Sequence, residues 1–132
     1  MPFIEISPGE LVDRLAILEI KEERFKDPAK LKSVAATKSR LLEAMEETFA
    51  DYQRVSIWPL YERLKAVNAV MWDAEEDARW VLAGVSLSDA STTEELGAAA
   101  RALHDGNDER FKLKRQIDAL MGWREPEEKS YF

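Results

Sequence analysis

Cysteine is absent from the 132 residues, which removes disulfides, thiolate zinc sites and cysteine nucleophiles together. Histidine occurs once, at His104, and a lone imidazole without a partner at ligand spacing makes no metal or catalytic case. No apolar run approaches the roughly 18 residues of a membrane span, so no membrane insertion is expected. The opening MPFIEISPGE has neither a basic nor a long apolar region, so no signal peptide is expected and the chain is assigned to the cytoplasm. Gly-rich phosphate loops, nucleophile elbows, internal repeats and low-complexity tracts are all missing. Positive charge is in deficit, with 19 Lys and Arg against 26 Asp and Glu and a net charge of −7. Most of such a surface repels a phosphate backbone. The one basic cluster, Arg110 to Arg115, follows Asp105, Asp108 and Glu109 and is partly neutralised, so no nucleic-acid partner is expected.

What is present is the composition of a folded domain: 45% hydrophobic and 34% charged residues, in a chain of a size that buries a core without metal or disulfide help. The reading is a single domain over residues 1–132. FIEIS is a short extended strap. Ser7 then supplies an N-cap, Pro8 the first helical position and Glu10 the far side of a capping box, with Ile6 and Leu11 as a hydrophobic staple. This first helix is expected from Pro8 to about Phe25. Leu11, Leu15 and Leu18 form one apolar edge, and Ile17 and Ile20 fall nearly opposite. A helix apolar on two sides is covered on two sides, so it is read as central.

Asp27 caps a second helix, Pro28 to about Asp51, with Leu31, Val34, Leu41, Met45, Phe49 and Tyr52 as its apolar positions and Lys38 interrupting them. SIWP, residues 56–59, is read as the start of the third helix. There Leu60, Leu64, Val67, Met71, Ala74, Ala78 and Val81 alternate steps of four and three, the cleanest pattern in the chain. Gly84 is its expected C′ stop. After a loop from Val85 to Ala90, Ser91 and Glu94 form a second capping box, and the last helix runs from Thr92 to Met121 with Gly122 as stop. Asp105-Gly106 is a candidate break, but Leu96 to Leu103 share their phase with Ile117 and Met121, which favours one continuous helix. Residues 123–132 are expected as an extended tail. Four helices with short joins make an all-α antiparallel bundle with an N-terminal strap and a C-terminal tail.

The last helix carries an anomaly. Asn107, Arg110 and Lys114 lie in the same band as Leu103, Ile117 and Met121, where apolar side chains belong. On the first helix, Glu22 lies about 20° and Glu19 about 40° from Leu15. The two stripes therefore look complementary, and charge pairs across a bundle can set register or floor a polar pocket. A plainer account competes with this: Arg and Lys stems cover apolar surface while their heads reach water. On the third helix Asn68, Trp72 and Glu75 form a second candidate group, against the commoner role of such a tryptophan in packing. Carboxylate pairs at Glu22-Glu23, Glu46-Glu47 and Glu75-Glu76 raise a magnesium site. All-α nucleotide pyrophosphohydrolases resemble this arrangement, but Glu46-Glu47 precedes Asp73-x-x-Glu76 in the reverse of their order, and chance pairs are expected among 26 acids.

SPGELVDRLAILEIKEERF, NAVMWDAEEDAR, NDERFKLKRQID and the final EEKSY resemble a bacterial family, domain of unknown function 6165. The match runs from Ile4 to Tyr131 in order. The resemblance implies a short helical protein that keeps company with surface-polysaccharide and glycosyltransferase systems. It implies functional positions at Glu10, Asp13, Glu19 and Lys21 in the first helix and at Asn68, Trp72 and Glu75 in the third. In the last helix and tail it implies Asn107, Asp108, Arg110, Lys114, Glu128, Lys129, Ser130 and Tyr131. Asp118 departs from that pattern, where asparagine is expected.

The leading expectation is a non-enzymatic binding or accessory module with a protein partner or a second copy of itself. The others are a site for an anionic small molecule such as a nucleotide or nucleotide sugar, held by Arg110 and Lys114 with Trp72 or Tyr131 stacking, and a magnesium-dependent nucleotide hydrolase. A structural oligomer subunit is the fourth. No cofactor is expected except magnesium under the hydrolase reading.

Overall fold

A computed structural model describes residues 2–84 and 90–124, with the side chains of Ala90 and Ser91 outside the description. Four helices follow in order: α1 Pro8–Arg24, α2 Pro28–Thr48, α3 Asp51–Gly84 and α4 Ala90–Leu120. There is no strand among the described residues. The chain is an all-α bundle, and no helix among the described residues is long and apolar enough to cross a membrane.

The helix ends follow from local chemistry. Ser7 is extended and its hydroxyl accepts from the Glu10 N–H, with Pro8 next in line. Only half of the expected capping box forms, because the Glu10 carboxylate turns to Arg14 and Lys114 instead. Asp27 caps α2 by accepting from the Ala29 N–H at 3.0 Å. At the other end of the molecule's sequence, Gly122 sits at φ +66°. The Trp123 N–H donates to the Asp118 carbonyl at 2.9 Å and the Gly122 N–H to that of Ala119 at 3.1 Å. This is a Schellman closure, which needs the left-handed conformation glycine adopts without strain.

Three expected boundaries move. The α2–α3 join lies earlier than expected: α2 stops at Thr48 with Phe49 extended, and α3 starts at Asp51. Ala50 caps α3 through its carbonyl, and Gln53 reaches back to the Ala50 N–H at 2.8 Å. That half capping box lacks the usual Ser or Thr signal, so SIWP looked like the start, whereas Pro59 stands inside α3. Tyr52 consequently belongs to α3 and is exposed rather than apolar packing of α2. Gly84 is still helical, and only Gly122 has positive φ among the described glycines, so the expected C′ role of Gly84 does not hold. The last helix starts at Ala90, which puts Ser91 inside its first turn rather than at the cap. The expected tail beyond Arg124 lies outside the described residues.

α1 is central, as its two apolar sides require. It packs on α2, α3 and α4, while among the described residues the backbone of α2 comes close to no helix but α1. Leu11, Val12, Leu15 and Ala16 join Phe49, Ile57, Tyr61, Leu64, Leu113 and Ile117 in one buried cluster, with Ile6 packed against it. α3 and α4 form a long antiparallel hairpin, with Arg63 against Glu109 at 2.7 Å and Met71 against Gly106. α4 is unbroken at Gly106. A Cβ there would stand 2.4 Å from the Met71 Cγ, so this glycine makes room for a buried methionine.

Lengths decide what the core can cover. α3 has 34 residues and α1 has 17, about 51 Å against about 26 Å at 1.5 Å per residue. α1 runs out where Arg24 meets Asp73 at 2.5 Å and Phe25 tilts against Trp72 with ring centroids 5.8 Å apart. Past that line the α3–α4 hairpin continues without α1 beside it.

Candidate functional site

Two places collect the unusual side chains: a polar cluster among α1, α3 and α4, and a groove on the projecting end of the hairpin.

The cluster is centred on Asp13, whose side chain is 1% exposed. Its Oδ2 accepts from Arg110 Nη2 at 2.6 Å, and its Oδ1 accepts from Arg110 Nε at 3.3 Å and Asn68 Nδ2 at 2.9 Å. Arg110 also donates to Asn107 Oδ1 at 3.3 Å, and Asn68 to the Leu64 carbonyl at 2.9 Å. One carboxylate thus ties three helices together through a two-pronged guanidinium contact and an amide. One turn toward the N-terminus of α1, Lys114 Nζ meets Glu10 Oε2 at 2.7 Å. Lys114, and after it Arg14, holds the Glu10 carboxyl below the usual carboxylate range against a smaller opposing effect of burial. A turn further, the Gly9 N–H donates to Asp118 Oδ1 at 2.7 Å. A carboxylate at a helix N-terminus answers both the unpaired N–H and the positive end of the dipole. Gly9 allows the approach, since a Cβ there would lie 2.3 Å from the Lys114 carbonyl oxygen.

Arg110 and Lys114 therefore do face α1, but not the residues expected opposite them. Glu19 and Glu22 turn to other helices: Glu22 accepts from Lys38 of α2 at 2.7 Å, and Glu19 lies 3.5 Å from Lys65 of α3, which also pairs with Glu23. Those carboxylates, Glu23 first, raise the Lys65 pKa. Next to Glu19 the Tyr61 hydroxyl is buried with no well-formed hydrogen bond. Burial first and the Glu19 carboxylate second push it above the usual phenol range. The correction has a geometric cause. Asp13 lies about 160° around α1 from Leu15, and the charged stripe of α4 meets α1 on the side of Gly9 and Asp13. A glycine and an alanine bracketing a carboxylate at steps of four and three was the available signal.

The third-helix group is split. Asn68 turns into the cluster, while Trp72 packs on Phe25 and donates to Glu76 at 2.9 Å. Glu75 is exposed and 3.8 Å from Arg79. Asp108 is exposed beside His104, and Lys21 is half-buried in the last turn of α1. Glu128, Lys129, Ser130 and Tyr131 lie outside the described residues. The carboxylate pairs are not gathered either. Glu46 and Glu47 are exposed on α2, whereas Asp73 faces Arg24 and Glu76 faces Trp72. Among the described residues no group of three acidic or imidazole side chains is placed to hold a metal ion.

The groove was not singled out from sequence. It holds about 610 Å³ between the far ends of α3 and α4. Ala74, Ala98, Ala99 and Ala102 line it, with Val70, Val81 and Trp80 beside them and Asp73, Asp77 and Glu95 at its polar positions. Val70 is 58% and Trp80 77% exposed. Tyr52, Val55 and Trp58 are also exposed, near the start of α3. Charge is concentrated at the same end. Residues 70–108 contain nine acids and two bases, and the other 17 acids and 17 bases of the chain cancel. Within that stretch, residues 70–102, which span the groove lining, hold seven acids and two bases, a net −5 of the chain's −7. Asp77 and Glu95 make no ion pair with any described residue.

Comparison with family models, with curated proteins and with solved structures returns no match.

Proposed function

We propose that this chain is a non-enzymatic helical binding module, an accessory protein that docks a protein partner in the α3–α4 groove. The observation that carries the reading is the groove itself. It is open and largely apolar, it displays a tryptophan and a valine to solvent, and it lies where the hairpin outruns α1. An apolar floor with a polar rim is the anatomy of a docking surface.

The polar cluster supports this indirectly. Its charges answer one another: Arg110 is engaged by Asp13 and Asn107, and Lys114 by Glu10. A phosphate at these two cations would have to displace a buried carboxylate and leave it uncompensated, which is expensive. The cluster is better read as the device that fixes the register of α1 against α3 and α4. A role beside surface-polysaccharide or glycosyltransferase systems rests on the family resemblance alone, and it suits an accessory protein.

The test is a displayed library of helical 18-residue peptides, selected on the intact chain and counter-screened on Ala98→Arg. Ala98 is exposed and lines the groove, so arginine there fills it without entering the core. Peptides that bind the parent and lose binding to Ala98→Arg would support the reading. Enrichment indifferent to that substitution, or no enrichment, would overturn it.

A further inference from the structure

We propose that the occupant of the groove is a cationic amphipathic helix of a partner protein. This rests on the groove being a docking site, and it adds the chemistry of what docks. The shape comes first. The α3 residues lining the groove run from Val70 to Val81, about 17 Å of helix or three turns. Ala74, Ala98, Ala99 and Ala102 keep the floor low. Small side chains let another helix approach closely, and Val70 and Trp80 offer it apolar walls. An apolar stripe laid into such a groove is a recurring mode of helix recognition.

The charge then selects among occupants. The stretch that spans the groove lining, residues 70–102, has net charge −5, and Asp77 and Glu95, which line the groove, are unpaired among the described residues. A second copy pairing groove to groove would bring the same stretch with the same sign. The last eight residues of the chain, with three glutamates and one lysine, also carry like charge. An anionic bilayer or a polyphosphate would be repelled. A helix with Lys or Arg flanking its apolar stripe removes that repulsion, fills the floor and gives each unpaired carboxylate a partner. Complementary charge of this kind sets partner choice and association rate more than raw affinity.

Three stapled 18-residue helices with one shared Leu/Ala stripe test the inference, their flanks made of Lys, Gln or Glu. Binding of fluorescein-labelled peptide to the intact chain is followed by anisotropy at low and high salt. The expected result is a Lys peptide binding at least about tenfold tighter than the Gln peptide at low salt, an undetectable Glu peptide, and a preference that collapses when salt screens the carboxylates. The double variant Asp77→Lys, Glu95→Lys changes two exposed residues and should reverse the order. Equal binding of the Lys and Gln peptides, both lost in Ala98→Arg, would overturn the charge assignment and leave the groove as a docking site. Absence of all peptide binding, with sedimentation showing a dimer that Ala98→Arg dissolves, would put a second copy in the groove. Absence of all binding by a monomer would overturn both readings.

Discussion

The two ends of the α3–α4 hairpin are written in one repeat and put to different uses. At the near end Leu64 is fully buried, and α1 lies across both helices. At the far end Ala78 and Val81 hold the same phase on α3 but remain half-exposed. The near end is crossed by charge pairs with both signs balanced, and the far end is acidic and only partly answered. The difference teaches that helical periodicity marks a face able to be covered without naming what covers it. The near face is covered by α1. The far face stays open because α1 is half the length of α3, and its acidity selects what can close it.

The largest effects should come from the near end. Arg110→Met leaves Asp13 buried with Asn68 as its remaining donor among the described residues. Breaking a buried pair by removing one partner is expected to lower stability by about 3–5 kcal/mol. Denaturant unfolding measures this, and a double-mutant cycle with Asp13→Leu should return a coupling energy well above about 1 kcal/mol. A loss under about 1 kcal/mol in Arg110→Met would mean the cluster is solvated and carries no register information. The same change should leave peptide binding at the far end intact.

The glycines sharpen the comparison. Gly9→Ala sets a Cβ 2.3 Å from the backbone oxygen of Lys114, which no side-chain rotation relieves. Overpacking of that kind should cost about 2–3 kcal/mol. At the border of the far end, Gly106→Ala meets only the flexible Met71 side chain, and alanine gains about 1 kcal/mol in helix propensity. The second substitution should therefore stay within about 1 kcal/mol of the parent. Equal losses at the two positions would erase the distinction between a backbone contact and a side-chain one.

This contrast also marks what was legible. Four helices, the central place of α1, the Ser7 and Asp27 caps and the continuity of α4 all follow from spacing and capping residues. Asn107, Arg110 and Lys114 stood out because they break an apolar phase. Their partners Glu10 and Asp13 came only from the family resemblance, because a pattern along one helix fixes its own faces and not the rotation of its neighbour. Glu19 and Glu22 share the leucine edge, whereas the α4 cations meet the side where Gly9 permits close approach. The groove was invisible for a related reason. Its alanines are weak signals individually, and only the pairing of α3 with α4 brings Ala74 beside Ala98 and Ala99.

Acid should separate the ends further. The Glu10 carboxyl titrates lower in the folded chain than its ordinary 4.5, chiefly because of Lys114. A group whose folded pKa is depressed contributes stability above its unfolded pKa and loses it as pH falls through the folded value. The near end should therefore weaken below about pH 4.5. Lys114→Met should be less stable than the parent at pH 7, with the gap closing toward pH 3. A gap that stays constant across that range would assign the loss to the packing of the lysine stem instead.

The smallest effect on stability belongs to the far end, and there smallness is itself informative. Trp80 is 77% exposed, and its removal uncovers no core. Trp80→Ala should change unfolding free energy by no more than about 0.5 kcal/mol. Exposed tryptophans are nonetheless common anchors of binding, where one residue can carry several-fold to hundred-fold of affinity. The pairing of an unchanged denaturation curve with lost binding of the Lys-flanked helix would show that the far end is kept for contact rather than for folding. A large stability loss in Trp80→Ala would mean instead that the hairpin needs this ring to hold α3 and α4 together. In that case the two ends differ only in degree.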